Sequence, residues 1–474
     1  MAQQLLRRVA FAMPFTVLPV GLAVVATAQV VSHVSQPYMD EIFHVKQTQA
    51  YCDERFHEWD EKITTPPGLY IVNYVLAKAM SIITQQHLSS SSLFCSLQAL
   101  RWINIILFFE ASWLANHNLE LSLHACSLLL FPPFFFFVSL CYTDVGSTGT
   151  ILLAFLLNKK GYRVGSAIFS LLSLIFRQTN IVWVCFIAAE HLISRFETGT
   201  LSLTPSSRTS VEVCRPSSFL ALPNSLFHFI AGVLRNLPIL LVDLYPHVLC
   251  VFSFILAVWV NGSVALGDKS HHAVALHVPQ FFYFAFVASG FQCVAAVQWV
   301  LNSGVQRVKL IYSSSWASLS VFLTTSLTGL VLVLVCIKKM TYVHPFLLAD
   351  NRHYMFYIWR RILDGNGKYL AAPFYVIAMV IIQGQLSKSS LYTSRLRQFL
   401  LIGAVSVALI PSPLLEFRYF ITPFFFVSIH IKPMSAPLTA IQVVISICIN
   451  TLVLAVFIAK PFTWSDGTIA RFMW

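Results

Sequence analysis

The chain has 474 residues, of which 57% are hydrophobic and only 11% charged, with a mean hydropathy of +0.73. A soluble domain carries about a quarter charged residues because its surface faces water, so this composition excludes a soluble globular enzyme. The formal charge is +12, but no basic tract exceeds two adjacent residues; this speaks against a nucleic-acid partner and puts Lys and Arg beside membrane lipids, at helix ends and in loops.

A helix needs about 20 apolar residues to cross the hydrocarbon core, which leaves room for about a dozen crossings. Backbone in lipid must satisfy its own hydrogen bonds, as helices or as a closed barrel. Long uncharged runs such as Phe322–Ile337 lack the alternation of a barrel strand, so helices are predicted.

After Arg7 and Arg8, an apolar stretch runs from Val9 to Val31. It is too long for a cleaved signal core and reads as a signal anchor with the amino terminus in the cytosol. Spans are predicted near 11–32, 98–115, 121–140, 146–158, 163–176, 180–194, 237–260, 279–300, 316–337, 370–386, 398–412, 419–430 and 436–459. The apolar segment Pro67–Thr84 is read as a re-entrant or interfacial helix. With that choice Met39–His44, Tyr142–Asp144, Arg177–Asn180, Gly267–His272, Ala349–Tyr354 and Glu416–Tyr419 all fall opposite the amino terminus, on the luminal side. Short connectors such as Asn158–Arg163 and Lys388–Arg397 agree with the positive-inside rule, whereas the long segments 36–66 and 338–368 carry many basic residues on the luminal side. Residues 196–235 read as a cytosolic linker, with Thr198–Ser217 rich in Ser, Thr and Arg. No fixed repeat is present, and 1–474 is expected to be a single membrane domain.

Three polar clusters carry candidate chemistry. The first is Pro37–His44, where Asp40 and Glu41 lie beside His44 close to the end of a membrane helix. A carboxylate there, among aromatics, loses hydration and becomes a better base. The second is Leu348–Tyr354, in which Asp350, Arg352 and His353 suit holding a phosphate or, equally, forming a structural ion pair. The third is Pro413–Pro423 with Glu416 and Arg418. Charges within apolar helices are expensive and face a cavity or pair; the same holds for Arg177, Arg101 and Asp144, each of which could instead join helices. His271, His272 and His277 are a poor metal set, because adjacent histidines on a helix point different ways. No Asp-x-Asp pair occurs, which favours a donor that needs no metal. The ten cysteines are scattered with no CxxC pair, and neither a zinc site nor a disulfide framework is expected.

PYMDEIFH (37–44), WDEKITTPPGLY (59–70), FRQTNIVW (176–183), VNGSVALGDKSHHAVALHVPQ (260–280), LLADNRHYMFYIWRR (347–361), LLEFRYFITP (414–423) and RFMW (471–474) span nearly the whole chain. Together they resemble the dolichyl-phosphate-glucose-dependent α-1,2-glucosyltransferases of the endoplasmic reticulum. Residues Glu416–Pro423 are also similar to the Glu-x-Arg-aromatic-x-x-Pro element of related lipid-dependent mannosyltransferases. The first helix, 85–97 and 196–235 depart from the pattern, and they carry no motif.

The resemblance implies an all-α polytopic membrane protein of the GT-C type, with roughly 11–14 transmembrane helices and a large first luminal loop. It implies a multi-pass protein of the endoplasmic reticulum membrane with a luminal active site. The donor would be dolichyl-phosphate β-glucose and the acceptor a diglucosylated oligosaccharide on dolichyl diphosphate, with no metal cofactor. Transfer would form an α-1,2 linkage with inversion, as the last step of N-glycan precursor assembly. Asp40 is the expected base with Glu41 positioning or substituting for it; Arg352, Arg177 and Arg418 are expected at the donor phosphate; His44, His353, Asp350, Glu416 and Asp144 are expected supports. The rival reading is a membrane transporter or channel-associated regulatory protein, in which buried charges would line a pathway.

Overall fold

Prolines and buried polar residues cut the apolar runs into shorter helices than hydropathy suggests. The computed structural model describes residues 2–118, 122–198, 221–268, 274–313, 316–388, 394–464 and 466–474. Nearly all described elements are helices, as the sequence predicts for a polytopic membrane protein. The chain forms two compact units, Met1–Ala273 with Ser394–Ala404, and Val274–Thr393 with Val405–Trp474.

The first unit opens with α1 (Ala2–His33), α2 (Glu41–Cys52), α3 (Gly68–Thr84) and α4 (Leu97–Asn118). The span expected at 121–140 is two helices, α5 (Ser122–Leu129) and α6 (Pro132–Val138). Pro132 and Pro133 lack the N–H that would continue the ladder, and instead occupy the first turn of a new helix. Next come α7 (Asp144–Lys159), α8 (Arg163–Phe176), α9 (Ile181–Glu197), α10 (Leu222–Arg235) and α11 (Leu237–Asn261).

α1 packs on α4, α4 on α7, and α7 on α8, while α11 covers α8 and α9. Ser166, Ser170 and Ser173, spaced four and three residues apart, share one fully buried face of α8. Such small side chains let helix backbones approach closely. The linker expected over 196–235 is in part helix: Phe229 and Val233 of α10 pack on Phe196 and Leu240. Residues 199–220 of that linker lie outside the described residues.

Charges in this unit gather at the two ends of α7–α9. At one end, Lys159 and Arg397 both pair with Glu190, and Asp243 meets Arg163, His191 and Arg195. Asp144, Arg177 and Asn180 lie at the other ends of the same helices. α3 runs along α2 and pairs Lys78 with Glu54 at 2.9 Å.

The ten cysteines were expected to stay unpaired, and the structure corrects this. Cys52 and Cys95 form a disulfide, with Cα atoms 6.6 Å apart and a sequence separation of 43. Spacing could not reveal a pair in which Cys52 ends α2 and Cys95 lies beyond α3, in the 3-10 turn Leu93–Cys95. Cys126, Cys185, Cys250, Cys336 and Cys448, in the apolar runs, are free thiols.

The second unit, apart from residues 395–404 of the helix Arg395–Leu409, which belong to the first, begins with α12 (Pro279–Phe291) and α13 (Cys293–Ser313), bent by 92° at Gln292. Gln442 satisfies the backbone groups freed at this break: its amide donates to the Phe291 carbonyl at 2.8 Å, and its oxygen accepts from Val294 N–H at 3.2 Å. There follow α14 (Trp316–Met340), α15 (Pro345–Ala349), α16 (Tyr354–Ile358), a π-helical turn Trp359–Leu363, α17 (Gly367–Leu370) and α18 (Ala372–Ser387). α19 (Arg395–Leu409) precedes α20 (Ile421–Ser428) and α21 (Ala436–Ala459), and strands β1 (Phe462–Thr463) and β2 (Ile469–Ala470) make a short antiparallel hairpin. Among the described residues Leu237–Asn261, Gly367–Ser387 and Ala436–Ala459 are long and apolar enough to cross a membrane, and the bent pair would make a fourth. Val17–His33, Gly68–Thr84, Leu97–Phe109 and Arg163–Phe176 are shorter apolar helices.

A crosslink closing a loop of this length contributes about 2–4 kcal/mol. Replacing Cys52 and Cys95 by Ser should therefore lower the Tm of the detergent-purified protein. Reductant should lower the wild-type Tm to the same value and leave the double variant unchanged; an unaltered Tm in both would remove the bond from the fold.

Candidate active site

In the first unit the site is built around a buried ion pair. Arg101, on α4, is fully buried; its Nε meets Glu41 Oε1 at 2.9 Å and its Nη2 meets Oε2 at 2.6 Å. The same guanidinium donates to the carbonyls of Val34 at 2.6 Å and Gln36 at 3.3 Å. Glu41 also accepts from the backbone N–H groups of Tyr38 at 3.0 Å and Cys141 at 2.8 Å. A buried pair survives when its remaining hydrogen-bonding capacity is used, and here the carboxylate accepts four hydrogen bonds and the guanidinium donates four. Glu41 thereby fastens the exit of α1, the start of α2, α4 and the turn after α6.

Asp40 sits one residue before this anchor, partly exposed at the N-cap of α2. Its N–H donates to the Tyr142 hydroxyl at 3.1 Å. Met39 takes φ +55°, which is strained for a residue with a Cβ. The bonds on either side, from Tyr38 N–H to Glu41 and from Asp40 N–H to Tyr142, hold it there. His44 bonds the Tyr70 hydroxyl at 2.7 Å and packs edge-on against Tyr142, with ring centroids 5.7 Å apart.

Arg177 ends α8, where the chain turns extended before the 3-10 turn Gln178–Asn180. It pairs with Asp144 Oδ1 at 2.9 Å, and its side chain is 16% exposed. Asp144 Oδ2 is buried without a hydrogen-bond partner among the described residues. Gln178 donates to the Thr64 carbonyl at 2.9 Å, and Asn180 to Ser147 Oγ at 2.9 Å. Gly68 is needed where α3 meets this break, because a Cβ there would lie 2.7 Å from the Ile175 carbonyl oxygen. The loop 59–67 is tied in by Leu266 N–H to Thr64 and Asp268 N–H to Glu61, at 3.2 and 2.7 Å. Three of the resembling stretches, 37–44, 59–70 and 176–183, thus meet in this unit with the first part of a fourth, 260–280.

The other three assemble in the second unit. Arg352 grips Asp350 bidentately, Nε and Nη2 each lying 2.8 Å from a carboxylate oxygen, and stacks 4.2 Å from the Trp464 ring centroid. Burial alone would raise the Asp350 carboxyl, but the Arg352 hydrogen bonds and the charge of His353 outweigh it and hold it below its ordinary 3.8. The pair therefore persists at neutral and mildly acidic pH and is lost only as the pH falls through that depressed value. Residues 352–354 run beside Met473: Met473 N–H donates to the Arg352 carbonyl, and Tyr354 N–H to the Met473 carbonyl, both at 2.9 Å. His353 Nδ1 lies 2.8 Å from the Trp474 carbonyl oxygen. The Trp474 indole packs on Phe417, 4.9 Å between centroids, beside the Glu416–Arg418 pair at 3.3 Å.

Each expected residue has a place. Arg101, which sequence left open between joining helices and binding phosphate, joins helices. Glu41 is fully engaged in the same contact. The structural pairing weighed for Asp350 and Arg352 is present, although Arg352 keeps 24% of its side chain exposed. Tyr142, Tyr70 and Trp474 lie within motifs read from the sequence but carry no assigned role there, and Trp464 lies outside them; in a chain with 14% aromatics, composition gives no signal for any of the four. Among the described residues no three His, Cys, Asp or Glu side chains are grouped to hold a metal ion. His271 and His272 lie outside the described residues.

A family model described as the DIE2/ALG10 family matches residues 34–429, which include Asp40, Glu41, Arg177, Arg352 and Arg418. The chain belongs to the DIE2/ALG10 family. Among its relatives, the Mus musculus "Dol-P-Glc:Glc(2)Man(9)GlcNAc(2)-PP-Dol alpha-1,2-glucosyltransferase" is 32% identical over 460 residues, 93% of each chain. The Arabidopsis thaliana protein of the same name is 33% identical over 509 residues, covering 96% of this chain and 98% of its own. The one from Drosophila melanogaster is 29% identical over 475 residues, covering 97% and 98%. No solved structure matches the chain.

Breaking a buried pair by removing one partner costs about 3–5 kcal/mol, because a charge is left uncompensated. Arg101→Met strands the Glu41 carboxylate and Glu41→Gln strands the Arg101 guanidinium, so each should lower the Tm. The double variant should be less destabilised than the two singles summed; strict additivity in the thermal-shift cycle would refute the coupling.

Proposed function

We propose that this member of the DIE2/ALG10 family transfers glucose from dolichyl-phosphate glucose, in α-1,2 linkage, to the diglucosylated oligosaccharide on dolichyl diphosphate. The observation that carries this is the match over 93% of both chains to relatives bearing that name. The chain is a hexosyltransferase. We place it in the endoplasmic reticulum membrane with its site in the lumen. The Cys52–Cys95 bond, within the segment that follows α1, supports this, because disulfides persist in oxidising compartments.

The donor implied by the resemblance is a β-glycoside, so an α product requires inversion. Asp40 takes the proton from the acceptor hydroxyl as its oxygen attacks the anomeric carbon. The bond to the phosphate oxygen breaks, and its electron pair leaves with dolichyl phosphate. Glu41, locked by Arg101, positions the backbone that carries Asp40. Arg177, Arg352 and Arg418 are our candidates for phosphate binding. Each keeps part of its side chain accessible, at 16, 24 and 18% exposed, beside a carboxylate that orients it.

Two measurements test the roles. Asp40→Asn keeps shape and removes basicity, so transfer to the diglucosylated acceptor in reconstituted membranes should fall at least ~100-fold. Wild-type turnover in that variant refutes the assignment. Arg352→Ala should raise the donor KM or lower kcat; unchanged values of both reject phosphate binding at Arg352.

A further inference from the structure

The positive-inside rule disfavours basic residues opposite a cytosolic amino terminus. Lys338, Lys339, Arg360, Arg361 and Lys368 nonetheless fall there in the topology read from the sequence. In the second unit they share one region. α14 carries Lys338 and Lys339 in its last turn and packs against α17, which carries Lys368. α17 packs in turn on the π-helical turn Trp359–Leu363 that bears Arg360 and Arg361. That approach requires glycine at 367, where a Cβ would lie 2.1 Å from the Ile362 carbonyl oxygen.

Lys338, Lys339, Arg360 and Arg361 are exposed, and Lys368 is partly so. None of them pairs with a carboxylate among the described residues, and Asp364 is the sole acid between Tyr354 and Leu370. The two arginines are held by rings: Arg360 lies 6.0 Å from the Phe356 centroid, and Arg361 5.9 Å from that of Tyr357. Stacking fixes a guanidinium without using its N–H donors, which stay available to an oxyanion. Tyr342, Val343, Phe346, Leu348, Ile362 and Leu370 are exposed apolar side chains in the same stretch. Basic and apolar groups interleaved in this way suit an element at the level of lipid headgroups.

We propose that this patch binds the diphosphate of the lipid-linked acceptor, with Arg360 and Arg361 on the phosphates and the three lysines supplying the surrounding field. This rests on the acceptor class given under the proposed function. A donor carried on a phosphodiester has one negative charge, whereas a glycosylated lipid diphosphate has two. A concentrated basic patch therefore favours the acceptor, and Arg352 lies outside it, already paired with Asp350.

Equilibrium binding reads the patch without turnover. The probes are polyprenyl-diphospho-N-acetylglucosamine and polyprenyl-phospho-glucose, presented to purified protein in nanodiscs of zwitterionic lipid. In the double variant Arg360→Gln, Arg361→Gln the diphosphate probe should bind about tenfold more weakly, the order expected for lost charge-assisted hydrogen bonds. The phosphodiester probe should change by less than about twofold, and an unchanged Tm shows that the variant folds. In the transfer assay the acceptor KM should rise by the same factor at unchanged donor KM. Equal weakening of both probes, or of neither, overturns the proposal. So does an effect seen only after anionic phospholipid is added, because that assigns the patch to the bulk membrane. Absence of glucose transfer by the wild-type protein would refute the proposed function and not the binding result.

Discussion

The buried contact between Glu41 and Arg101 is what the first unit's site depends on. Two charges far from water are tolerated only when every hydrogen-bonding valence is met, and this requirement converts one pair into a knot of four chain segments. The carbonyls of Val34 and Gln36 and the N–H groups of Tyr38 and Cys141 are drawn to it. Asp40 inherits its place from that knot. Its neighbour Met39 holds a left-handed backbone conformation that the surrounding bonds must impose.

The same demand for satisfied polar groups explains where helices break. A protein surrounded by lipid can interrupt a helix only where something replaces the lost backbone bonds. At Gln292 the replacement is the Gln442 side chain. After Phe176 it is a 3-10 turn braced by Asn180, which donates to Ser147 Oγ and to the Ser173 carbonyl. Arg177 belongs to such a break, and Arg418 lies in the 3-10 turn that leads into α20. Irregular backbone and the charges we propose for phosphate binding coincide because both need escape from hydrocarbon.

The second unit holds its charges differently. Arg352 is paired and stacked, and the chain near Met473 runs beside it like a strap. Arg360 and Arg361 are stacked without a carboxylate partner among the described residues. A guanidinium whose acid partner is a neighbour is oriented; one held only by a ring keeps its donors for a ligand. That contrast separates the residues we assign to the donor from those we assign to the acceptor's diphosphate.

Much of this was legible in the sequence. Low charge and long apolar runs dictated a helical membrane protein, because lipid leaves the backbone no other choice without strand alternation. The motifs named Asp40, Arg177, Arg352 and Arg418, since a charge placed among apolar residues stands out whatever the fold. Tertiary structure alone decided which charges pair with which. Sequence could not show that Glu41 meets Arg101, 60 positions away, or that Cys52 meets Cys95. Nor could it show that Trp464 and Met473 lie against Arg352. Composition and period are local properties, whereas pairing depends on how segments distant in the chain pack, and that is set by the sum of many contacts that no single residue announces.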